Sequence, residues 1–249
     1  MVKLGISGRT AAVAAASSGL GLASARALAN EGVRVAMCGR DKARIDDAAA
    51  EVGLGAVPLV ADVSTPAGAM SFVADAIGAL RSVDILVTNA GGPPPGTFGS
   101  TPVEAYPEAL SLNLMSVVAM CKTAVPAMQE RGWGRVVAIT SISVRQPIGT
   151  LILSNTARAG ATAFLKTLAT EVAGDGVTVN SVQPGLHATN RLLQLHGGDP
   201  SRAAAGVPAG VVGDPDDFGA IVAFLCSEPA RFVTGASLQV DGVTHCRPA

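Results

Sequence analysis

Short apolar runs alternate with segments of helical spacing along the whole chain. Continuous or alternating apolar runs indicate strands, whereas apolar residues every three or four positions indicate helices. Parallel strands joined by helices cross over with a right hand, so this pattern predicts an α/β fold: a Rossmann-like, doubly wound sheet of about seven parallel strands with helices on both faces. The predicted strands are 10–15, 33–38, 57–61, 83–88, 135–140, 177–182 and 237–240, and the predicted helices are 20–31, 42–52, 66–80, 103–129, 154–173 and 216–226.

Composition agrees with strands that are buried on both faces. Of the 249 residues, 49% are hydrophobic and only 15% are charged, which suits one large domain over residues 1–249. The net charge of -1 and the pI near 6.3 give no bulk attraction to nucleic acid or to an anionic membrane. We therefore expect neither kind of partner.

The four cysteines indicate neither a metal site nor a disulfide framework. They are far apart in sequence and form no CxxC pair, so we expect reduced, mostly buried thiols. The N-terminus lacks the apolar core of a signal peptide, and no apolar run reaches the roughly 18 residues of a membrane span. We predict a soluble, cytoplasmic protein. The cysteines are Cys38, Cys121, Cys226 and Cys246.

Small residues fill the turn from the first predicted strand into the first predicted helix. The sequence of Ala14 to Gly21 is AAASSGLG. Small side chains let a backbone approach a pyrophosphate, and the first N–H groups of the following helix face its negative charge. This position after the first strand of a βαβ chain favours a nucleotide-binding loop over a simple strand-ending turn.

Further motifs in order along the chain make it similar to the short-chain dehydrogenase/reductase family over essentially its whole length. The family's loop TGxxxGxG is matched with its first two positions altered, to Ala14 and Ala15. The other matches are Gly19 and Gly21 in the loop, Asp62 with Val63 beside the adenine, the NAG motif at Asn89, Ala90 and Gly91, the helix asparagine Asn113, the PGxxxT segment at Pro184, Gly185 and Thr189, and the last strand within Thr234 to Gly242.

The resemblance implies a dinucleotide site and its residues. The cofactor-binding set that it predicts is Ala15, Ser17, Ser18, Gly19, Leu20, Gly21, Arg40, Asp62, Val63, Asn89, Ala90, Gly91, Arg158, Pro184, Gly185 and Thr189. Ala15 replaces a glycine where the backbone needs φ > 0 or close contact, which bears on cofactor affinity but not on the fold. The alternative to a functional nucleotide loop is one that still packs but binds nucleotide weakly.

The residues after the second predicted strand bear on which dinucleotide is bound. NAD-selective relatives carry an acid where this chain has Gly39, and Arg40 follows. A cation at this strand end accepts a 2'-phosphate, whereas an acid repels it. We predict NADP(H), held by Arg40 with help from Ser17 or Ser18; the alternative is an Arg40 that pairs with Asp41 on a solvated turn.

The predicted reaction centre departs from the family pattern. The family places a serine, a tyrosine thirteen residues later and a lysine four after that; here these positions hold Ser141, Ser154 and Arg158. Tyrosine donates the proton in the family, and lysine lowers its pKa while holding the ribose. Serine is a far weaker acid, and arginine keeps its charge at all ordinary pH values. The predicted catalytic residues are Asn113, Ser141, Ser154 and Arg158.

Other residues are candidate proton donors or substrate contacts. His187 follows the Pro184–Gly185 pair and has a side chain suited to acid–base work, although a lone loop histidine is more often idle. Arg145 is a candidate for binding an anionic substrate or a surface residue. His196 and His245 are weaker candidates, and the one tyrosine, Tyr106, is expected to pack.

Two functions remain open from the sequence. The favoured one is an NADP(H)-dependent oxidoreductase that interconverts a ketone or aldehyde and an alcohol at this atypical centre. The alternative is a non-redox relative that binds a dinucleotide or small ligand for regulation or for isomerase-type chemistry. Retention of the nicotinamide-side residues Asn89, Pro184 and Thr189 supports the first, and loss of the tyrosine and lysine supports the second.

The substrate and the assembly follow only in outline. A lid is predicted at 186–213 because this segment is rich in glycine and proline. An apolar carbonyl or alcohol substrate is predicted from the leucines at 192, 193 and 195, from Gly92 to Phe98 and from Ile148 to Leu153, although core packing explains leucines equally well. A homotetramer, or else a dimer, is predicted from the small face of Ala157, Gly160, Ala161 and Phe164, whose alternative is packing on its own sheet.

Overall fold

A computed structural model describes residues 3–190, 192 and 203–244. Its sheet has seven strands in the order β3-β2-β1-β4-β5-β6-β7, and every adjacent pair is parallel. This confirms the predicted doubly wound sheet. The strands are β1 Thr10–Val13, β2 Arg34–Gly39, β3 Val57–Val60, β4 Ile85–Thr88, β5 Gly134–Ile139, β6 Val177–Pro184 and β7 Ser237–Val240.

Helices cover both faces of the sheet. They are α1 Gly19–Asn30, α2 Lys42–Val52, α3 Pro66–Leu80, α4 Tyr106–Leu110, α5 Ser116–Glu130, α6 Ile152–Val172 and α7 Pro215–Leu225. One apolar core lies between the sheet and α3, α5 and α6, and the other lies between the sheet and α1, α2 and α7. The predicted boundaries of α2, α3 and β7 are confirmed to the residue.

Small residues in the sheet and helices allow close packing within the chain. Ala11 and Ala12 of β1 are fully buried, one facing each core. A Cβ at Gly219 of α7 would collide with the carbonyl oxygen of Ala23 in α1. The glycine therefore sets the approach of these two helices, because no larger residue fits there.

The helix predicted over 103–129 is interrupted. A 3₁₀ turn at Val103–Ala105 precedes α4, and a π-helical turn at Ser111–Met115 separates α4 from α5. The Ser116 N–H donates to the Ser111 carbonyl, a span of five residues rather than four. Apolar periodicity did not show this one extra residue, because both neighbouring helices keep an apolar face.

The stretch Val103–Glu130 is long and apolar enough, by length and composition, to cross a membrane. The prediction concerned uninterrupted apolar runs, and polar residues such as Glu108 and Lys122 break this stretch. Half of its most apolar window is buried inside the protein, and α5 packs against α3. A core helix passes the same test, which makes the stretch weak evidence for a membrane span.

The small face of α6 is occupied by the chain itself. Ala157 and Ala161 are fully buried, and a Cβ at Gly160 would lie 3.2 Å from Cδ2 of Leu114. These positions therefore pack within the chain, as in the alternative interpretation, and the homotetramer stays a prediction. The described cysteines Cys38, Cys121 and Cys226 are buried free thiols, as predicted; Cys246 lies outside the described residues.

Candidate active site

The predicted site residues come together at the carboxyl edge of the sheet. The turn after β1, Asn89 after β4, Ser141 after β5 and Pro184 at the end of β6 all lie there, because parallel strands end on the same side. Helix α6 brings Ser154 and Arg158 to the same edge. This edge is where α/β proteins of this kind bind their ligands.

The turn after β1 adopts the conformation that its sequence makes costly. Ala15 has φ = 47° and Gly19 has φ = 59°, both in the left-handed region that glycine tolerates best. A Cβ at Gly21 would lie 2.5 Å from the Ala15 oxygen and 2.9 Å from Nδ2 of Asn89. Only glycine at position 21 allows the helix to approach this turn so closely.

The N-terminus of α1 is open to an anion. The N-cap Ser18 makes no side-chain capping bond, and the first turn contains no acidic residue. The N–H groups of Leu20 and Gly21 in that turn therefore keep their positive potential, which attracts phosphate. Thr189 covers this end, with its methyl group 3.5 Å from the position of a Cβ on Gly19. These contacts fit the pyrophosphate of a dinucleotide.

The corner after β2 is tight for any side chain at position 39. A Cβ at Gly39 would lie 3.1 Å from Cβ of Ser17. Arg40 is exposed and forms no hydrogen bond or ion pair with any described residue. Asp41 caps α2 by accepting from the Arg44 N–H at 2.9 Å. Arg40 thus lies on an exposed turn, as in the alternative interpretation, but without the expected pairing to Asp41.

The remaining predicted cofactor residues differ in how exposed they are to solvent. The exposed Asp62 accepts from the Ser64 N–H at 3.0 Å, whereas Val63 is buried in the core and offers only its main chain. Asn89 Nδ2 donates to the Ala15 carbonyl at 3.2 Å. Ala90 is half-buried, and Gly91 is exposed. Pro184 and Gly185 are half-buried, and a Cβ at Gly185 would collide with Asp241.

Arg158 is buried at the centre of the site, where its side chain hydrogen-bonds to several segments of the chain. Its side chain donates to the carbonyls of Ile139 and Thr140 from Nη1, each at 3.1 Å, and to that of Gly91 from Nη2 at 3.5 Å. Its Nε donates to Oγ of Ser154 at 3.3 Å. One guanidinium thus ties the end of β5 to the NAG segment and to the hydroxyl in the tyrosine position.

The two serine hydroxyls each accept one hydrogen bond from the protein. Ser154 Oγ accepts from Arg158, and Ser141 Oγ accepts from the Ser143 N–H at 3.1 Å. Within the described residues neither O–H has an acceptor. Both hydroxyls are therefore oriented with a hydrogen left to donate, which is the arrangement that stabilises negative charge on a carbonyl oxygen.

Asn113 lies in the π-helical turn. Its Nδ2 donates to the Gly91 carbonyl at 2.9 Å, while its buried Oδ1 has no partner among the described residues. A buried amide oxygen without a partner is costly and indicates a position for an ordered water. Asn113 and Arg158 thus hold the same carbonyl.

His187 is buried and packs against Phe218. Its ring meets Phe218 edge-on with centroids 5.1 Å apart, and Nδ1 lies 3.3 Å from the Gly185 carbonyl. Burial lowers its pKa, so the ring is neutral near pH 7. Phe218 belongs to the core on the α1 side of the sheet. The ring is therefore packed rather than solvent-exposed, and a catalytic role for His187 stays a prediction.

The predicted apolar lining divides into two sets. Leu153 and Leu192 are buried packing residues, whereas Phe98 and Ile148 are exposed. A feature not predicted is a pair of backbone hydrogen bonds, here called the Gly96 clasp. The Gly96 N–H donates to the Thr150 carbonyl, and the Gly96 carbonyl accepts from the Ile152 N–H. The three prolines at 93–95 were the available signal for this fixed segment.

Several other predictions concern single residues. Arg145 is exposed, and Tyr106 is half-buried at the start of α4. The residues 191 and 193–202 of the predicted lid lie outside the described residues, as do His196 and His245. Within the described part of the chain, no group of three or more His, Cys, Asp or Glu side chains is arranged to hold a metal ion.

Comparisons with known proteins give a consistent result. A family model described as enoyl-(acyl carrier protein) reductase matches residues 14–245. Human dehydrogenase/reductase SDR family member 4 is 32% identical over 248 residues, covering 97% of this chain and 89% of that protein. L-rhamnose 1-dehydrogenase (NAD(P)(+)) of Azotobacter vinelandii is 34% identical over 246 residues, covering 94% and 95%. The crystal structure of L-sorbose reductase from Gluconobacter frateurii, complexed with NADPH and L-sorbose, is similar with a TM-score of 0.90 and 32% identity, covering 97% and 98%.

Proposed function

Because this chain belongs to the short-chain dehydrogenase/reductase family, we propose that it is an NADP(H)-dependent oxidoreductase interconverting a ketone or aldehyde and an alcohol. The observation that carries the proposal is the pair of hydroxyls, Ser141 and Ser154, each held as an acceptor with its own hydrogen unused. Such a pair can bind a carbonyl oxygen without a phenol.

The residues present fit a dinucleotide. The open N-terminus of α1 and the close approach at Gly21 suit the phosphates, and the segment from Pro184 to Thr189 suits the nicotinamide end. When bound, the nicotinamide exchanges a hydride with the carbon of the substrate. The residues proposed to hold the cofactor are those predicted from the sequence, with Val63 and Ala90 contributing main chain.

The NADP(H) preference rests on the corner after β2. Arg40 extends from this corner without a protein partner among the described residues, and Ser17 fills the space above Gly39. A guanidinium and a hydroxyl together suit a phosphate on the ribose, whereas the acid that would bind the free 2'-hydroxyl is replaced by glycine at position 39. The NADPH in the L-sorbose reductase structure supports the same choice.

The protein's part in the reaction is positioning and polarisation. Ser141 and Ser154 donate to the carbonyl oxygen, and the Arg158 guanidinium polarises Ser154 through its Nε. A serine hydroxyl is a much weaker acid than a phenol, whose pKa is about 10, so neither serine supplies the proton efficiently. We propose that the proton comes from a water that Asn113 Oδ1 orders.

This centre should be slow compared with one that contains tyrosine. A well-placed general acid typically contributes about 10²- to 10⁴-fold to the rate. The substrate is proposed to be a small carbonyl compound with an apolar part, in keeping with the exposed Phe98 and Ile148 beside the Gly96 clasp. Two relatives are named for sugars, so a hydroxylated ketose is the contrasting class.

A second candidate is a dinucleotide-binding protein without hydride chemistry. The observation in its favour is the direction of Arg158, whose Nη1 donates to two main-chain carbonyls of its own chain. A guanidinium engaged in this way supports the scaffold rather than the ribose. Regulation or isomerase-type chemistry remains compatible with such a site.

One experiment separates these possibilities. The purified protein is titrated with NADPH and NADP+ while the fluorescence of NADPH is followed, and turnover is then assayed with apolar ketones, aldehydes, alcohols and a ketose. Gly21→Ala should abolish binding, because its Cβ would lie 2.5 Å from the Ala15 oxygen. Gly78→Ala is the matched control, since a Cβ there meets nothing within 4 Å. Binding with no turnover favours the second candidate, and no binding by the unaltered protein contradicts both.

A further inference from the structure

Ala15 keeps an unfavourable backbone conformation at the centre of the phosphate-binding turn. With φ = 47° it lies in the left-handed region, where a Cβ meets the neighbouring carbonyl and glycine is normally required. An alanine at this position needs compensation from its surroundings, because strained residues persist only where neighbouring contacts fix them.

Both peptide groups of Ala15 are held by side chains. Its N–H donates to Sγ of Cys38 at 3.4 Å, and its carbonyl accepts from Nδ2 of Asn89 at 3.2 Å. Cys38 lies in β2 and Asn89 follows β4, the two strands that flank β1 in the sheet. Side chains at the strands on both sides of β1 therefore hydrogen-bond to the turn at Ala15, the residue with the strained conformation.

Cys38 accepts the Ala15 N–H from a fixed, buried position. The residue is fully buried, and its own carbonyl accepts from the Ala16 N–H at 2.8 Å. Burial raises the pKa of its thiol to about 12, so the sulfur stays protonated at all ordinary pH values. A neutral, unreactive thiol in this position holds the backbone without any redox chemistry.

We infer that Cys38 is a positioning residue for the dinucleotide loop, whose sulfur holds Ala15 in the left-handed conformation that the loop requires. The two residues then form a matched pair: the thiol acceptor offsets the cost of the alanine methyl group. The inference rests on the proposed dinucleotide binding for its functional meaning, but the pairing itself is a property of the protein without ligand.

A double-mutant cycle tests the pairing. Cys38→Val removes the acceptor at similar size, Ala15→Gly removes the need for it, and the third variant carries both. With Ala15 present, Cys38→Val should weaken NADPH binding about fivefold, which corresponds to the loss of one ordinary hydrogen bond. With glycine at 15 the same change should weaken binding less than about twofold. Cys38→Ser keeps an acceptor and should stay within about twofold of the unaltered protein.

A buried cysteine outside the turn is the control. Cys121→Val, a buried free cysteine in α5, should change NADPH affinity equally little in both backgrounds. Equal losses for Cys38→Val with alanine and with glycine at 15 would overturn the inference, as would a Cys38→Ser variant as weak as Cys38→Val. If Cys38→Val does not fold, Cys38→Ala takes its place in the cycle.

Failure of the proposed function gives a different result. If the unaltered protein binds no NADPH, the proposed activity fails, and the cycle is then decided by urea unfolding of the ligand-free variants. A midpoint that Cys38→Val lowers with Ala15 but not with glycine supports the pairing, and an equal lowering in both backgrounds contradicts it.

Discussion

The sheet has a buried arginine at each of its two edges, and the two are used differently. At the amino edge, Arg135 is 2% exposed, stacks on Trp133 at 4.2 Å and lies 3.8 Å from the Glu228 carboxylate. At the carboxyl edge, Arg158 is 9% exposed and donates to main-chain carbonyls and to a serine hydroxyl.

The difference lies in what each arginine leaves available. Trp133 Nε1 also donates to Glu228 at 2.7 Å, and Arg135 Nη1 donates to the Gly134 carbonyl at 2.9 Å, while Nε of Arg135 has no partner among the described residues. Burial lowers the Arg135 pKa, and the Glu228 carboxylate opposes that shift. Around Arg158, the hydroxyl hydrogens of Ser154 and Ser141 stay unused within the described residues. The amino edge therefore contributes to stability, whereas the carboxyl edge keeps two hydroxyl hydrogens available to a ligand.

The largest expected effect is at the carboxyl edge. Ser154→Tyr combined with Arg158→Lys restores a general acid and should raise carbonyl reduction by at least about 10²-fold, because general acids contribute that much. Steady-state turnover with NADPH measures it. Each single variant should gain far less, and a double variant that binds NADPH without any gain would show that the site serves other chemistry.

At the amino edge, Arg135→Leu should destabilise the protein by about 2 kcal/mol, because it removes the charged donor to the Gly134 carbonyl and the guanidinium stacked on Trp133. Urea unfolding measures the loss. Arg9→Ala, which removes the other guanidinium stacked on Trp133, should cost only about 1 kcal/mol. If Arg135→Leu instead weakens NADPH binding at full stability, the division between the two edges is wrong.

Ser154→Ala should lower turnover about 10- to 100-fold with unchanged NADPH affinity, since it removes one donor to the developing oxyanion. The readout is kcat with a saturating cofactor concentration. Thr156→Ala, an exposed position on the same helix, is the control and should be neutral. An unaffected kcat would remove Ser154 from the mechanism.

Arg40→Ala should weaken NADPH binding about tenfold and leave NADH binding unchanged, because only NADPH carries the 2'-phosphate. Fluorescence titration with both cofactors gives the ratio. Arg44→Ala, an exposed arginine one turn into α2, should affect neither. Equal losses for the two cofactors contradict the phosphate assignment.

The smallest effect concerns His187. Burial lowers its pKa in the folded state, whereas the unfolded chain takes up the proton near the usual 6.5. The stability that neutral His187 contributes is therefore fully present above about pH 6.5 and is lost as the pH falls below it. His187→Gln should flatten this part of the urea midpoint against pH. A turnover profile that loses an inflection in the same variant would give His187 a role in the reaction.

The fold was predictable because its strands are short apolar runs and its helices carry clear periodicity. The loop, the NAG segment and the serine pair were also placed correctly at one edge, since parallel strands end together. The hydrogen bonds of Arg158 were not predictable, because a guanidinium at the lysine position can turn to a ligand or to its own main chain. Cys38 and Ala15 are 23 positions apart, and nothing in either segment announced their contact.

The π-helical turn at Ser111–Met115 makes the position of Asn113 depend on a single inserted residue. Removing one residue from this turn would restore regular α-helix and rotate α4 by about 100° relative to α5. Ala109, now buried, would swing away from the core, and the Gly91 carbonyl would lose its amide donor. Chain length here is as constrained as residue identity, so a deletion tolerated elsewhere on the surface would disable this corner.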